Sequence, residues 1–230
     1  MLTIYPALPS TQDAAHHLAS QGAPHGTAVL ARVQTAGRGT RGKTWVSPEG
    51  GLWLSVVCRP AGGAAPEVAS LRAGLALAEY LDTLLTPPAH VALKWPNDLM
   101  LGAGKVGGVL AEARWQGDRL SWIVVGVGLN LHNPVPKDVS PRAARLADAG
   151  VTESADDLAD PVARAVARAV ETGEPLSPRE LEVFAVRDWL RGRALSQPEQ
   201  GIASGISPAG RLRIRRSDGR TVEVDGPVTL

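Results

Sequence analysis

Gly37-Arg38-Gly39-Thr40-Arg41-Gly42-Lys43-Thr44 satisfies two phosphate-loop patterns at once. The whole octapeptide matches G-x-x-x-x-G-K-[ST], and its first six residues match G-x-G-x-x-G. Both patterns demand a strand before the loop and a helix after it, because a helix N-terminus aims its free amides at the phosphates. Thr27 to Val33 supplies a strand. After Thr44 the chain continues as Trp45-Val46-Ser47-Pro48-Glu49-Gly50-Gly51, which cannot form a helix. The next apolar run, Leu52 to Cys58, reads as a buried strand. No acidic residue at the end of an apolar strand suits a Walker B role. The octapeptide therefore joins two strands, and both pattern matches fail as family labels. Its chemistry survives them. Arg38, Arg41 and Lys43 sit among glycines that let backbone amides approach an anion, and arginine adds planar, multidentate donors.

The surrounding elements follow from local pattern. Ser10 with Asp13 resembles a capping box, and a short helix runs from there to Ser20. Val68, Leu71, Leu75, Ala78, Leu81 and Leu85 keep a helical period across Pro66 to Leu85, and Pro87-Pro88 stops it. Val91 to Trp95 is a strand that ends in the turn Pro96-Asn97-Asp98. Lys105 to Trp115 and Leu120 to Val127 form a hairpin closed by Gly117-Asp118. Residues 59–66 and 132–141 are loops rich in proline or glycine. Asp160-Pro161 caps a helix to Val170, and Pro178 to Leu190 is another. From Arg191 onward, short strands alternate with turns over about 40 residues, a module too small to fold without packing on the rest. The organisation is α+β, with a larger domain over 1–190 and a small β domain over 191–230.

Composition excludes several classes. A formal net charge of +1 over 230 residues lacks the basic excess of a general nucleic-acid binder. No apolar run reaches the ~18 residues that span a membrane, and no signal peptide is visible at the N-terminus. A cytoplasmic enzyme is the expectation. The single cysteine, Cys58, lies in an apolar strand and reads as a buried thiol. The five histidines show no metal-ligand spacing.

A second constellation lies downstream. Lys94-Trp95-Pro96-Asn97-Asp98 ends one strand, and Lys105-Val106-Gly107-Gly108-Val109-Leu110-Ala111-Glu112 begins the next hairpin. That arrangement brings Lys105 near the Asn97-Asp98 turn. The paired glycines leave a bare strand against which a ligand can press. Gly126-Val127-Gly128-Leu129-Asn130, at the end of an apolar strand, offers the same close approach.

Together, Ser10-Thr11-Gln12, the Gln34 to Trp45 segment with Ser47-Pro48, Lys94 to Asp98, Lys105 to Glu112 and Gly126 to Asn130 resemble the biotin–protein ligases. The resemblance covers nearly the whole chain. It implies a mixed β-sheet catalytic domain with flanking helices, like the class II synthetases, and a small C-terminal SH3-like β-barrel. It also implies a two-step reaction with ATP, Mg²⁺ and biotin: formation of biotinyl-5′-AMP, then transfer to a lysine of a biotin carboxyl carrier protein of the acetyl-CoA carboxylase type. By the same resemblance Lys105 and Arg38 are catalytic, Lys105 neutralising the carboxylate and α-phosphate. Ser10, Thr11, Gln34, Gly37, Arg38, Trp53, Gly108, Leu110 and Gly126 bind biotin. Arg41, Lys43, Trp45, Asn97, Lys105 and Asn130 bind ATP or the adenylate, Trp45 and Asn97 at the adenine.

Two departures qualify the resemblance. The family commonly carries arginine where this chain has Thr40, and that arginine is associated with closure over the intermediate. Some members also carry an N-terminal helix-turn-helix domain. Here the motifs begin at Ser10, so the expectation is a monofunctional ligase without a DNA partner. Rival readings are a lipoate–protein ligase of similar chemistry, a P-loop NTPase centred on Lys43, and a biotin sensor without catalysis. The C-terminal strands and the Lys105 hairpin offer edges for a homodimer.

Overall fold

The computed structural model describes residues 1–62, 65–135, 142–226 and 228–230. The expected loops 59–66 and 132–141 therefore lie partly outside the described residues. Seven strands build the main sheet: β1 (Leu2–Leu8), β2 (Ala28–Gln34), β3 (Leu52–Cys58), β4 (Val91–Lys94), β5 (Asp98–Leu101), β6 (Gly104–Gln116) and β7 (Arg119–Leu129). Their order is β1-β2-β3-β7-β6-β5-β4. β1 runs parallel to β2, and every other neighbouring pair is antiparallel. The sheet is mixed and the class is α+β, as expected.

β3 lies inside this sheet, between β2 and β7, with all seven residues buried. Strand alternation sends Leu52, Leu54, Val56 and Cys58 into the large core. Val57 joins Val29 and Val124 on the opposite face, where helix α1 (Thr11–Ser20) covers them with Ala15 and Ala19. The large core is closed by α2 (Pro66–Asp82), α3 (Ala155–Ala169) and α4 (Pro178–Arg187). Burial pushes the Cys58 thiol up to about 12, so it is not a nucleophile at neutral pH.

Several boundaries differ from the sequence reading, each for a local reason. β1 has no clear sequence signal: Pro6 interrupts its pattern, and an edge strand tolerates the missing donor. β5 takes up residues that read as part of a turn; it pairs with both β4 and β6. α2 ends at Asp82, short of Leu85, and the Asp82 carboxylate accepts from the Val91 amide (2.7 Å) and the Arg187 guanidinium (2.6 Å). α3 begins before Asp160-Pro161, because Ser154 and Asp157 form a true capping box and leave Pro161 inside the helix. α4 stops at Arg187, where Asp188 bridges to Leu93 and the Trp189 amide donates to the Leu93 carbonyl.

The remaining strands, β8 (Ala194–Leu195), β9 (Gly201–Ile206), β10 (Leu212–Arg215) and β11 (Thr221–Val224), form an open antiparallel sheet in the order β11-β10-β9-β8. Its apolar side chains, among them Leu195, Ala203, Ile206 and Ile214, belong to the same core as the main sheet. The Trp95 indole, buried at the end of β4, donates to the Gly210 carbonyl at 2.8 Å and ties the two sheets together. Among the described residues no helix is long and apolar enough to cross a membrane.

Candidate active site

The octapeptide links β2 to β3 and feeds no helix. This removes the phosphate-loop readings, and with them the central role for Lys43. The loop folds back on itself instead. Arg38 bridges Thr44, the Gly39 amide donates to the Lys43 carbonyl (2.7 Å), and the Trp45 amide donates to the Gly37 carbonyl (2.9 Å). At its tip Arg41 takes a left-handed backbone (φ 58°), and Gly42 comes next at φ 72°. A Cβ on Gly37 would lie 2.4 Å from the Trp45 carbonyl, so this glycine permits the fold-back.

The loop, the first turn of α1 and the faces of β3, β6 and β7 enclose a cavity of about 660 Å³. Ser10, Thr11, Gln34, Arg38, Arg41, Lys43, Trp45, Asn97, Lys105, Gly108, Leu110, Gly126 and Asn130 all reach its wall. Gly37 and Trp53 do not. Gly37 is turned into the loop's own backbone. Trp53 is fully buried, donates to the Pro48 carbonyl (2.9 Å) and packs edge-on beneath Trp45, with ring centroids 6.5 Å apart. It supports the wall from behind.

One end of the cavity is a polar network. The Thr11 amide donates to Gln34 Oε1 (2.8 Å), and Gln34 Nε2 donates to Ser47 Oγ (2.8 Å). Thr11 Oγ1 and Ser55 Oγ are 2.8 Å apart, and Ser55 Oγ donates to Gln12 Oε1 (2.8 Å). Ser10 is the N-cap of α1, but its hydroxyl makes no capping bond. Its Oγ is buried without a protein partner among the described residues, as is Trp45 Nε1. Both residues line the cavity, but the two atoms are themselves buried, the indole N–H against Gly128.

The other feature is fixed positive charge. Lys105 Nζ lies 2.5 Å from Asp98 Oδ1 and 4.9 Å from the centroid of the Trp45 ring. The register of β5 with β6 produces this pairing, with Asp98 opposite Gly108 and Met100 opposite Lys105. Gly107 points into the core, where a Cβ would meet Leu129 at 2.6 Å. Gly108 points to the cavity, and a Cβ there would find only ordinary contacts near 3.6 Å. Gly128 lies under Trp45; a Cβ would come within 2.8 Å of Nε1. Asn97 Nδ2 donates to the Val109 carbonyl (2.8 Å), and Asn130 Oδ1 accepts from Asn133 Nδ2 (3.2 Å). Arg38 donates to Asp13 (2.6 Å) and to Glu112 (3.0 Å). A polar recess beside one half-buried cation, Lys105, and one exposed cation, Arg38, suits a ligand with one neutral polar end and one anionic end.

A family model described as the biotin/lipoate A/B protein ligase family matches residues 5–130. The chain belongs to that family. The biotin–[acetyl-CoA-carboxylase] ligase of Paracoccus denitrificans is 35% identical over 214 residues, covering 84% of this chain and 86% of that one. The bifunctional ligase/repressor BirA of Bacillus subtilis is 34% identical over 154 residues, which are 64% of this chain and 46%, about half, of the relative. The solved biotin protein ligase of Aquifex aeolicus, in complex with biotin and ATP, superposes with a TM-score of 0.80 at 25% identity, over 99% of this chain and 97% of that one.

Within this member of the biotin/lipoate ligase family, several site residues lie beyond sequence reasoning. Ser55 has a signal, a lone hydroxyl in an apolar strand. Asp13 has the look of a capping residue, and it pairs with Arg38 instead. Val228, Thr229 and Leu230 reach the cavity although nothing in their sequence marks them. Thr229 is held by backbone bonds with Ser196 and Gln197. Glu112 stands out in the sequence only as the end of a motif. Its Oε2 accepts from Arg38, Gln12 (3.1 Å) and His16 (3.3 Å).

These donors, the His16 hydrogen bond first, hold the Glu112 carboxyl at about 2, well below its ordinary 4.5, against the opposing effect of burial. A lowered folded pKa contributes stability above pH 4.5 that is lost as pH falls toward 2. Glu112→Gln removes that titration. Its urea-unfolding stability is expected to fall less than the wild type's between about pH 5 and pH 3; equal losses contradict this.

Proposed function

We propose that the chain is an ATP-dependent biotin–protein ligase. The observation that carries the reading is the gathering of Lys105, Arg38 and the Ser10-Thr11-Gln34 recess on one cavity wall. A carboxylate and a triphosphate repel each other, so joining them needs cations already in place. A carboxylate oxygen of biotin attacks the α-phosphorus of ATP, pyrophosphate leaves, and biotinyl-5′-AMP forms. The ε-amine of an acceptor lysine then attacks the acyl carbon, and AMP leaves. Lys105 and Arg38 stabilise the charge on carboxylate and phosphate; neither has to lose a proton.

The wall residues divide accordingly. Ser10, Thr11 and Gln34 hold the ureido ring, with Gly108, Leu110 and Gly126 along the apolar body and Gly37 and Trp53 shaping the pocket from behind. Trp45 and Asn97 contact the adenine, Asn130 the nucleotide, and Arg41 and Lys43 the phosphates. Mg²⁺ enters as part of the ATP substrate. No group of three His, Cys, Asp or Glu side chains gathers among the described residues. The one carboxylate on the wall beside Lys105, Asp98, is paired with it, so phosphate oxygens and water would hold the metal.

Residues 1–190 form the catalytic domain in this reading, and 191–230 an SH3-like module that closes the cavity through Val228 to Leu230. The acceptor is the biotin carboxyl carrier of acetyl-CoA carboxylase. In this reading the enzyme works in the cytoplasm and has no DNA partner. The part of β6 beyond Gly108, which β5 does not pair, and the C-terminal sheet offer edges on which a homodimer would form.

Biotin-dependent ATP–pyrophosphate exchange tests the reaction, and exchange driven by lipoate instead of biotin would overturn the choice of substrate. Lys105→Ala is expected to cut transfer of labelled biotin to a carrier domain by at least about a hundredfold. Full transfer by that variant excludes Lys105 from the chemistry.

Thr40 lines the cavity at the start of the loop's short 3₁₀ turn. An arginine there adds a donor for the intermediate's phosphate. Thr40→Arg is expected to slow escape of biotinyl-AMP by about two- to fivefold, the range of a partly exposed ion pair. The measurement is intermediate released without acceptor, and an unchanged rate refutes it.

A further inference from the structure

The two carboxylates that hold Arg38 are not equivalent. Glu112 is embedded: its side chain is 29% exposed, and Oε2 accepts from Arg38 Nη2, Gln12 Nε2 and His16 Nε2. His16 is itself fixed. The Trp122 indole, which can only donate, bonds to His16 Nδ1 at 3.0 Å. The neutral ring therefore carries its proton on Nε2, directed at Glu112. Asp13 is free by comparison. It sits on the first turn of α1 with a side chain 60% exposed, and its one ion-pair partner among the described residues is Arg38 Nη1 at 2.6 Å.

Arg38 and its two partners carry a net charge of −1, an unfavourable setting for a third anion. Exchange of one carboxylate for another keeps the count unchanged. The exposed, singly held carboxylate is the one that exchanges at least cost.

We propose that Asp13 is a built-in competitor for Arg38: it occupies the outer nitrogen of the guanidinium until the carboxylate of the ligand displaces it, while Glu112 keeps the inner nitrogen in place. This rests on the reading of the cavity as a biotin site. Glu112 is then a positioning residue, and Asp13 sets the affinity for the anionic end of the ligand without touching it. A guanidinium has further N–H donors, so the alternative is that the ligand joins Arg38 with Asp13 still bound. The two cases differ in outcome. Under exchange, removing the Asp13 charge strengthens binding. Under addition, it loosens Arg38, which offsets the repulsion it relieves, and binding does not strengthen.

The experiment compares biotin with biotin amide, which keeps the ring system and lacks the charge, in titrations of the wild type, Asp13→Asn and Glu112→Gln. Asp13→Asn is expected to lower the Kd for biotin about two- to fivefold and to leave that for the amide unchanged. In pyrophosphate exchange the KM for biotin falls without a rise in kcat. Glu112→Gln is expected to weaken biotin more than the amide. Asp13→Asn that binds biotin equally or more weakly overturns the inference, as does the same shift for both ligands. Asp13 is exposed, so loss of fold does not confuse its result, and a wild type that binds neither ligand overturns the proposed function together with this inference. If wild type binds biotin normally and the two variants match it, only the inference falls.

Discussion

A hydroxyl in the centre of an otherwise apolar strand constrains how this site is assembled. Ser55 lies on β3, fully buried, between Leu54 and Val56, which both pack into the large core. A hydroxyl so placed costs about 1–3 kcal/mol unless it is paired. Its partners, Thr11 and Gln12, come from the first turn of α1. That requirement draws the N-terminus of the helix onto the sheet, and Thr11 in turn engages Gln34 at the end of β2. Three elements are registered by one set of bonds. The recess they leave has Ser10 in its wall, whose hydroxyl makes no N-cap bond.

Charge is handled in the same economical way. Cations that are to meet an anion must be held in place beforehand, yet a partly buried cation needs a counter-charge of its own. Lys105 has Asp98 and the face of Trp45; Arg38 has Glu112 and Asp13. The loop-tip cations Arg41 and Lys43 are more exposed and form no ion pair among the described residues. The pairing thus separates cations anchored in the framework from cations carried on an exposed loop tip. Glycine completes the arrangement at Gly128, where the absence of a Cβ lets Trp45 lie against β7.

Most of this was legible locally. The residues Trp45 to Gly51 excluded a helix after the octapeptide, and that removed two families without any structural knowledge. Leu52 to Cys58 reads as buried, and it is buried along its whole length. The glycine-interrupted strands predicted close approach, and Gly108, Gly126 and Gly128 all reach the cavity. The misses share a cause. β1 and β5 are short or broken by proline, and they are strands because neighbours pair with them. Asp160-Pro161 looks like a helix start because it satisfies the local rule. The capping box at Ser154 satisfies it better, and α3 buries Leu158 ahead of the proline.

Backbone grammar, the identity of the loop and the residue types that carry charge belong to the chain as a string. They depend on neighbours a few positions away, where sterics and periodicity act. Partnership does not. Asp13 and Arg38 are 25 residues apart, Gln12 and Glu112 100, and Trp95 and Gly210 115. Which carboxylate holds Arg38, which face Trp53 turns to, and that Val228 to Leu230 close the cavity all depend on how the two sheets share one core. Burial and hydrogen-bond satisfaction are settled only when every element is in place, so folding chose these contacts among many that the sequence allowed.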